Sequence, residues 1–120
     1  MRPLLLYCFF VSAACNQNTY NGVNLSKFVG SPIKEFITQP QFKSFKSYYW
    51  NHEPPALLYG ITFEYSDNTF VEIRVDKFEH MNNFDTNLNW KLDDILREKA
   101  SEIVIYKYSK DNDIIVLKKS

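Results

Sequence analysis

Glycine is scarce. Only Gly22, Gly30 and Gly60 occur, and they lie far apart. A phosphate-cradling loop needs several glycines close together, so a nucleotide site of that kind is excluded. Cysteine is limited to Cys8 and Cys15, which excludes a disulfide-dense scaffold. Neither sign of charge is in excess, with 14 Lys+Arg against 14 Asp+Glu. A dedicated nucleic-acid binder shows a basic excess, so no nucleic-acid partner is expected. Histidine is confined to His52 and His80, which lack the spacing of metal ligands. Neither a metal nor any other cofactor is therefore expected. No serine sits in a Gly-x-Ser-x-Gly elbow, the turn that exposes a hydrolase nucleophile. The apolar run near the start, Pro3–Val11, is nine residues. That is well short of the roughly 20 needed to span a bilayer as a helix. Repeats and low-complexity tracts are missing too. What remains is a chain of 120 residues, the length of one domain. At 45% hydrophobic and 23% charged it has enough apolar side chains for a core, which excludes global disorder.

The beginning of the chain carries an address. Met1-Arg2 supplies a positive charge, the apolar run follows, and Ser12-Ala13-Ala14 are all small. The chain then turns polar at Cys15-Asn16-Gln17-Asn18-Thr19. This is the three-part layout of a secretory signal, expected over residues 1–14 and removed on export. Small residues directly before a cysteine, here Ser12-Ala13-Ala14-Cys15, resemble the lipobox of bacterial lipoproteins. The resemblance implies cleavage before Cys15 and diacylation of its thiol, with the new amino group often acylated as well. It also implies a lipid-anchored protein at the periplasmic face or outer surface of a bacterial membrane. Ser12 departs from the family, which prefers Leu at that position. Two alternatives stay open: an ordinary cut after Ala14 that leaves Cys15 free, and a hydrophobic first strand with Cys15 buried. Cysteine usage favours the lipid. Once Cys8 leaves with the signal, Cys15 has no partner for an internal disulfide, and acylation would consume its thiol. Each buried CH₂ contributes about 0.8 kcal/mol, so two or more chains hold stably where one does not.

Residues 15–23 are polar, contain Gly22, and read as a tether. The domain proper is expected over 24–120. Leu25-Ser26-Lys27-Phe28-Val29 suggests one helical turn closed by Gly30. Ser31-Pro32 then provides an N-cap and a proline at the first helical position. Ile33, Phe36 and Ile37 form one apolar stripe, and Pro40 stops the helix. Phe45–Trp50 reads as an aromatic strand, interrupted by Asn51-His52-Glu53-Pro54-Pro55. Odd positions from Leu57 to Tyr65 and from Val71 to Val75 are apolar, which predicts a hairpin around Ser66-Asp67-Asn68. Opposing Tyr65 with Thr69 pairs Phe63–Val71, Ile61–Ile73, Tyr59–Val75 and, on the outer side, Thr62–Glu72. Asn68 takes the left-handed position that such a loop needs. The alternative of Tyr65 against Val71 would set Glu64 beside Glu72, so the first register is preferred.

Asp76–Asn89 is polar and irregular, expected to cross a sheet edge. Trp90–Lys99 reads as a second helix with Asn89 as N-cap and Leu92, Ile95 and Leu96 as its stripe. A second hairpin joins Ile103–Tyr108 to Ile114–Leu117 through Ser109–Asp113. Apolar residues on both faces there suggest a central or two-sided position. The expected fold class is α+β: a single antiparallel sheet of about five strands with two short helices packed on one face.

Sites are sparse. His52 beside Glu53 is the best local candidate for proton transfer, yet neighbours in an extended segment point to opposite faces. Asp93-Asp94 suits a helix start and Asp111-x-Asp113 a turn, so neither pair signals catalysis. The chain is expected not to be an enzyme. Aromatics are 17% of the residues, mostly core. Tyr48, Trp50 and Tyr59, with His52 and Glu53, are the candidate lining of a groove for a protein or carbohydrate. The expected function is a non-enzymatic binding lipoprotein held to a membrane through Cys15. The alternative is an inhibitor or immunity-type protein that neutralises a secreted enzyme or toxin.

Overall fold

The computed structural model describes residues 19–120. The expected signal over 1–14 and Cys15 lie outside the described residues. A small hairpin comes first, β1 (Thr19–Tyr20) and β2 (Val23–Asn24), turned by Asn21 and Gly22 at positive φ. A 3-10 turn follows at Leu25–Lys27, where the Asn24 side chain accepts from the Ser26 N–H at 3.1 Å. Next come α1 (Ile33–Ile37), β3 (Ser47–Glu53), β4 (Leu57–Glu64) and β5 (Thr69–Arg74). The chain closes with α2 (Leu92–Ile95), β6 (Glu102–Tyr108) and β7 (Ile114–Lys119).

The fold is α+β, with two sheets rather than one. β3 to β7 form a five-stranded antiparallel meander in sequence order, and β1–β2 form the second sheet. The tether expected over 15–23 does not extend over 19–23, and its residues 15–18 lie outside the described residues. Val23 is 5% exposed and Tyr20 stacks on Phe42 at 6.3 Å, so residues 19–23 belong to the folded body. One face of the main sheet carries the core. Ile61, Phe63, Val71, Ile73, Ile103 and Ile105 meet side chains from both helices and the first hairpin in one cluster. All six are fully buried.

The β4–β5 hairpin has the expected register. Phe63 pairs with Val71, Ile61 with Ile73 and Thr62 with Glu72; the Val75 N–H donates to Tyr59 O at 2.9 Å, and Asn68 has φ 66°. β3 runs further than expected, through His52 and Glu53, and stops at Pro54. The register shifts there: Asn51 faces Gly60 but His52 faces Leu58, so Tyr59 is the extra residue of a bulge. The bulge sends Leu58 into the core and leaves Tyr59 half-buried, with the Arg74 guanidinium 5.0 Å above its ring. The strict alternation read from the sequence therefore fails at Tyr59. Gly60 is required here, because a Cβ would lie 2.4 Å from Ile73 O.

Both helices are shorter than their apolar stripes suggest. Pro32, not Ser31, holds the cap position of α1, and no side chain caps it. The Ile33 and Lys34 N–H groups donate instead to Glu98 O and Leu96 O, both at 2.9 Å. Lys91, not Asn89, precedes α2, which ends after one turn. Residues 96–100 leave the helix because they pair with 30–34: Gly30 N–H donates to Ala100 O at 2.7 Å, and Ala100 N–H to Ser31 O at 3.0 Å.

The crossing from β5 to β6 is pinned by Glu98. Its side chain is fully buried and accepts the Glu79 N–H on Oε1 at 2.7 Å. Its Oε2 accepts the His80 and Met81 N–H groups at 2.7 and 2.8 Å. Further along, Leu58 N–H donates to Asn83 O at 2.8 Å, so the crossing runs beside the start of β4 where β5 has ended. In the second hairpin β6 is central and β7 is an edge.

Candidate binding surface

The structure brings together three of the five expected ligand residues. Strand pairing sets Tyr48 against Phe63 and Trp50 against Ile61, on the core side of the sheet's β3 edge. The bulge keeps His52 on that side. An unbroken aromatic row results. Tyr48 meets Trp50 at 5.6 Å, Trp50 meets Trp90 at 6.0 Å, and Trp90 meets His52 at 5.6 Å. Tyr48 remains 37% exposed, whereas Trp50 packs against the core. His52 Nδ1 and Trp90 Nε1 are buried without a hydrogen-bond partner among the described residues. Glu53 and Tyr59 stand apart from this row. Glu53 is exposed and, by strand alternation, points to the other face, and the bulge turns Tyr59 toward Arg74. His80, the other histidine, lies elsewhere. With Pro32, Lys34, Thr38, Leu96 and Arg97 it lines a groove of about 520 Å³ between the helices.

A second aromatic group occupies the face of the sheet turned away from the core. Phe70 pairs with Glu64 on one side and Tyr106 on the other, and Tyr106 pairs in turn with Val116. The Phe70 and Tyr106 rings stack at 5.5 Å and 13°. Tyr108 packs edge-on against both, at 5.3 and 5.9 Å. Burial, with Tyr108 and Glu72 close by, pushes the Tyr106 phenol up to about 12. Beyond the rings, Ile114 and Val116 are 60% and 57% exposed. Compared with known proteins, the chain matches no family model, no curated protein and no solved structure.

Beside the aromatic group lies a polar cluster. Glu64 accepts from Tyr49 Oη and from Ser47 Oγ (3.0 Å), and Lys46 Nζ lies 3.4 Å away. The hydroxyls of Tyr49 and Ser47, with Lys46, hold the Glu64 carboxyl below its ordinary range. Stacked rings flanked by hydroxyls and a carboxylate suit a flat partner, an apolar protein surface or a sugar face. This surface is the one the sequence did not disclose. Its signal was the shared parity of Tyr106 and Tyr108 and the run Ile114-Ile115-Val116. Only strand order shows that Phe70 lies beside them. Among the described residues no helix is long and apolar enough to cross a membrane.

Proposed function

We propose that the chain is a non-enzymatic interaction module, exported and held to a bacterial membrane by a lipid on Cys15. The observation that carries this reading is Ser12-Ala13-Ala14-Cys15 at the end of an apolar run, only four residues ahead of Thr19. Thr19 is the first described residue, so the link from the acylated residue to it spans at most about 14 Å when fully extended. The module therefore rests close against the membrane surface rather than at the end of a long leash. Its partner is a protein or carbohydrate, bound on the outer sheet face. Phe70, Tyr106 and Tyr108 are already packed on one another there, so little side-chain entropy is lost on binding.

Metabolic labelling with a radioactive fatty acid tests the anchor. Label is expected on the wild-type chain and lost with Cys15→Ala. Label that survives the substitution removes the lipid from the reading. For the surface, Tyr106→Ser should weaken capture of the partner while Tyr48→Ser, on the β3 edge, should not. The reverse pattern would move the binding surface to the Trp50–Trp90 row.

A further inference from the structure

The two edges of the main sheet differ in kind. β3 is followed directly by Pro54-Pro55, is bulged against β4, and presents the mostly polar or amphipathic run Ser47–Glu53. Such features discourage another strand from pairing. β7 has no such protection over its first three residues. Ile114, Ile115 and Val116 are 60%, 42% and 57% exposed, in succession, on an open strand. The register shift against β6 comes later, at Leu117, and the lysines stand only at the far end. The backbone is also presented. Ser109 N–H donates to Asp113 O at 2.8 Å, so antiparallel alternation turns the N–H and C=O groups of Ile114 and Val116 away from β6, toward solvent.

We propose that β7 pairs antiparallel with β7 of a second copy of this chain, joining two five-stranded sheets across a two-fold axis. Charge selects this occupant. Asp111 and Asp113 precede the strand, outnumbering Lys110 in the same turn, and Lys118 and Lys119 end it, with Lys119 also 3.2 Å from Glu102 of β6. In antiparallel self-pairing the acidic end of each strand meets the basic end of the other. A parallel arrangement would set like charges together. A partner strand of uniform charge would satisfy one end and repel the other. The same segment carries both halves of the match, as an isologous interface requires. The paired edge also brings the Phe70, Tyr106 and Tyr108 groups of both copies onto one continuous face. Pairing is a property of the folded domain and does not depend on the lipid anchor.

Sedimentation velocity over a concentration series tests the pairing, on the full chain carrying Cys15→Ser in reducing buffer, so that neither lipid nor disulfide contributes. A concentration-dependent dimer is expected, and one that weakens as salt is added. Val116→Lys should abolish it. Asp111→Lys together with Asp113→Lys, which makes both strand ends basic, should weaken it at least about tenfold. Far-ultraviolet circular dichroism checks that each variant is folded. The double substitution lies in an exposed turn and still decides the matter if Val116→Lys does not fold. A chain that stays monomeric up to about 100 μM overturns the proposal, as does a dimer indifferent to both variants. Pairing of β7 with a foreign strand while the pure chain stays monomeric overturns it too.

Discussion

Replacing Glu98 by Gln tests the account of the crossing segment most directly. The Glu98 carboxylate is fully buried, and none of the ion pairs among the described residues includes it. Its desolvation is offset by three backbone N–H groups at 2.7, 2.7 and 2.8 Å. Hydrogen bonds to a charged acceptor contribute about 1.5–3 kcal/mol each, and burying the charge costs several, so the two nearly balance. Gln keeps the volume. Its carbonyl oxygen can hold the His80 and Met81 N–H groups, but its NH₂ then faces the Glu79 N–H, donor against donor. One bond is lost outright and two lose their charge reinforcement. The lighter desolvation of an amide recovers part of this. The expected net loss is about 2 kcal/mol, which for a domain of this size lowers Tm by about 10 °C. Urea unfolding read by tryptophan fluorescence measures it. Hydrogen exchange at the amides of residues 79–81 localises it, because their protection should fall further than that of β4 and β5. A variant within about 0.5 kcal/mol of wild type, with those amides equally protected, would refute the role assigned to Glu98.

Gly60→Ala places a methyl group 2.4 Å from Ile73 O, and is expected to cost about 3 kcal/mol in a thermal melt; an unchanged melt would show that the β4–β5 spacing yields easily. Glu64 has its pKa lowered in the folded state, chiefly by Tyr49 and then Ser47. Its stabilising share is thus present above the ordinary carboxyl range and lost as pH falls through the lowered value. A carboxyl titration by NMR should find Glu64 still ionised further into acid than an ordinary carboxyl, and Tyr49→Phe should move its titration back up. Tyr106 is raised to about 12, so its share is complete below the ordinary tyrosine pKa and lost as pH climbs toward that value. Alkaline absorbance titration should show one fewer late-ionising phenol in Tyr106→Phe.

Local rules carried the reading of some segments and failed at others for identifiable reasons. The β4–β5 hairpin was legible because period-two alternation on both strands and Asn68 in the turn agree on one register. The bulge at Tyr59 was not, since it depends on how closely Gly60 approaches Ile73 across the sheet. The stripe Leu92, Ile95 and Leu96 suggested a longer helix. Its continuation is withdrawn by distant partners: residues 30–34 take its backbone, and residues 79–81 take the Glu98 carboxylate. Tyr20 and Val23 looked like tether because their neighbours are polar, yet Tyr20 stacks on Phe42 and Val23 joins the buried core cluster. The aromatic candidates divided likewise. Tyr48, Trp50 and His52 share a strand face, as spacing suggests, while the partner that joins Trp50 to His52 is Trp90, far along the chain. The outer patch needed the order of strands, which no local pattern encodes.

The stacking of Tyr20 on Phe42 also fixes the corner of the body that the first hairpin occupies. Tyr65, at the tip of β4, reaches the same corner, where its hydroxyl donates to Phe42 O at 2.7 Å. Tyr20 and Asn21, near the start of the described chain, thus lie beside the Asp67 turn. With the anchor proposed at Cys15, Pro54-Pro55, at the opposite end of β4, is the end turned toward solution.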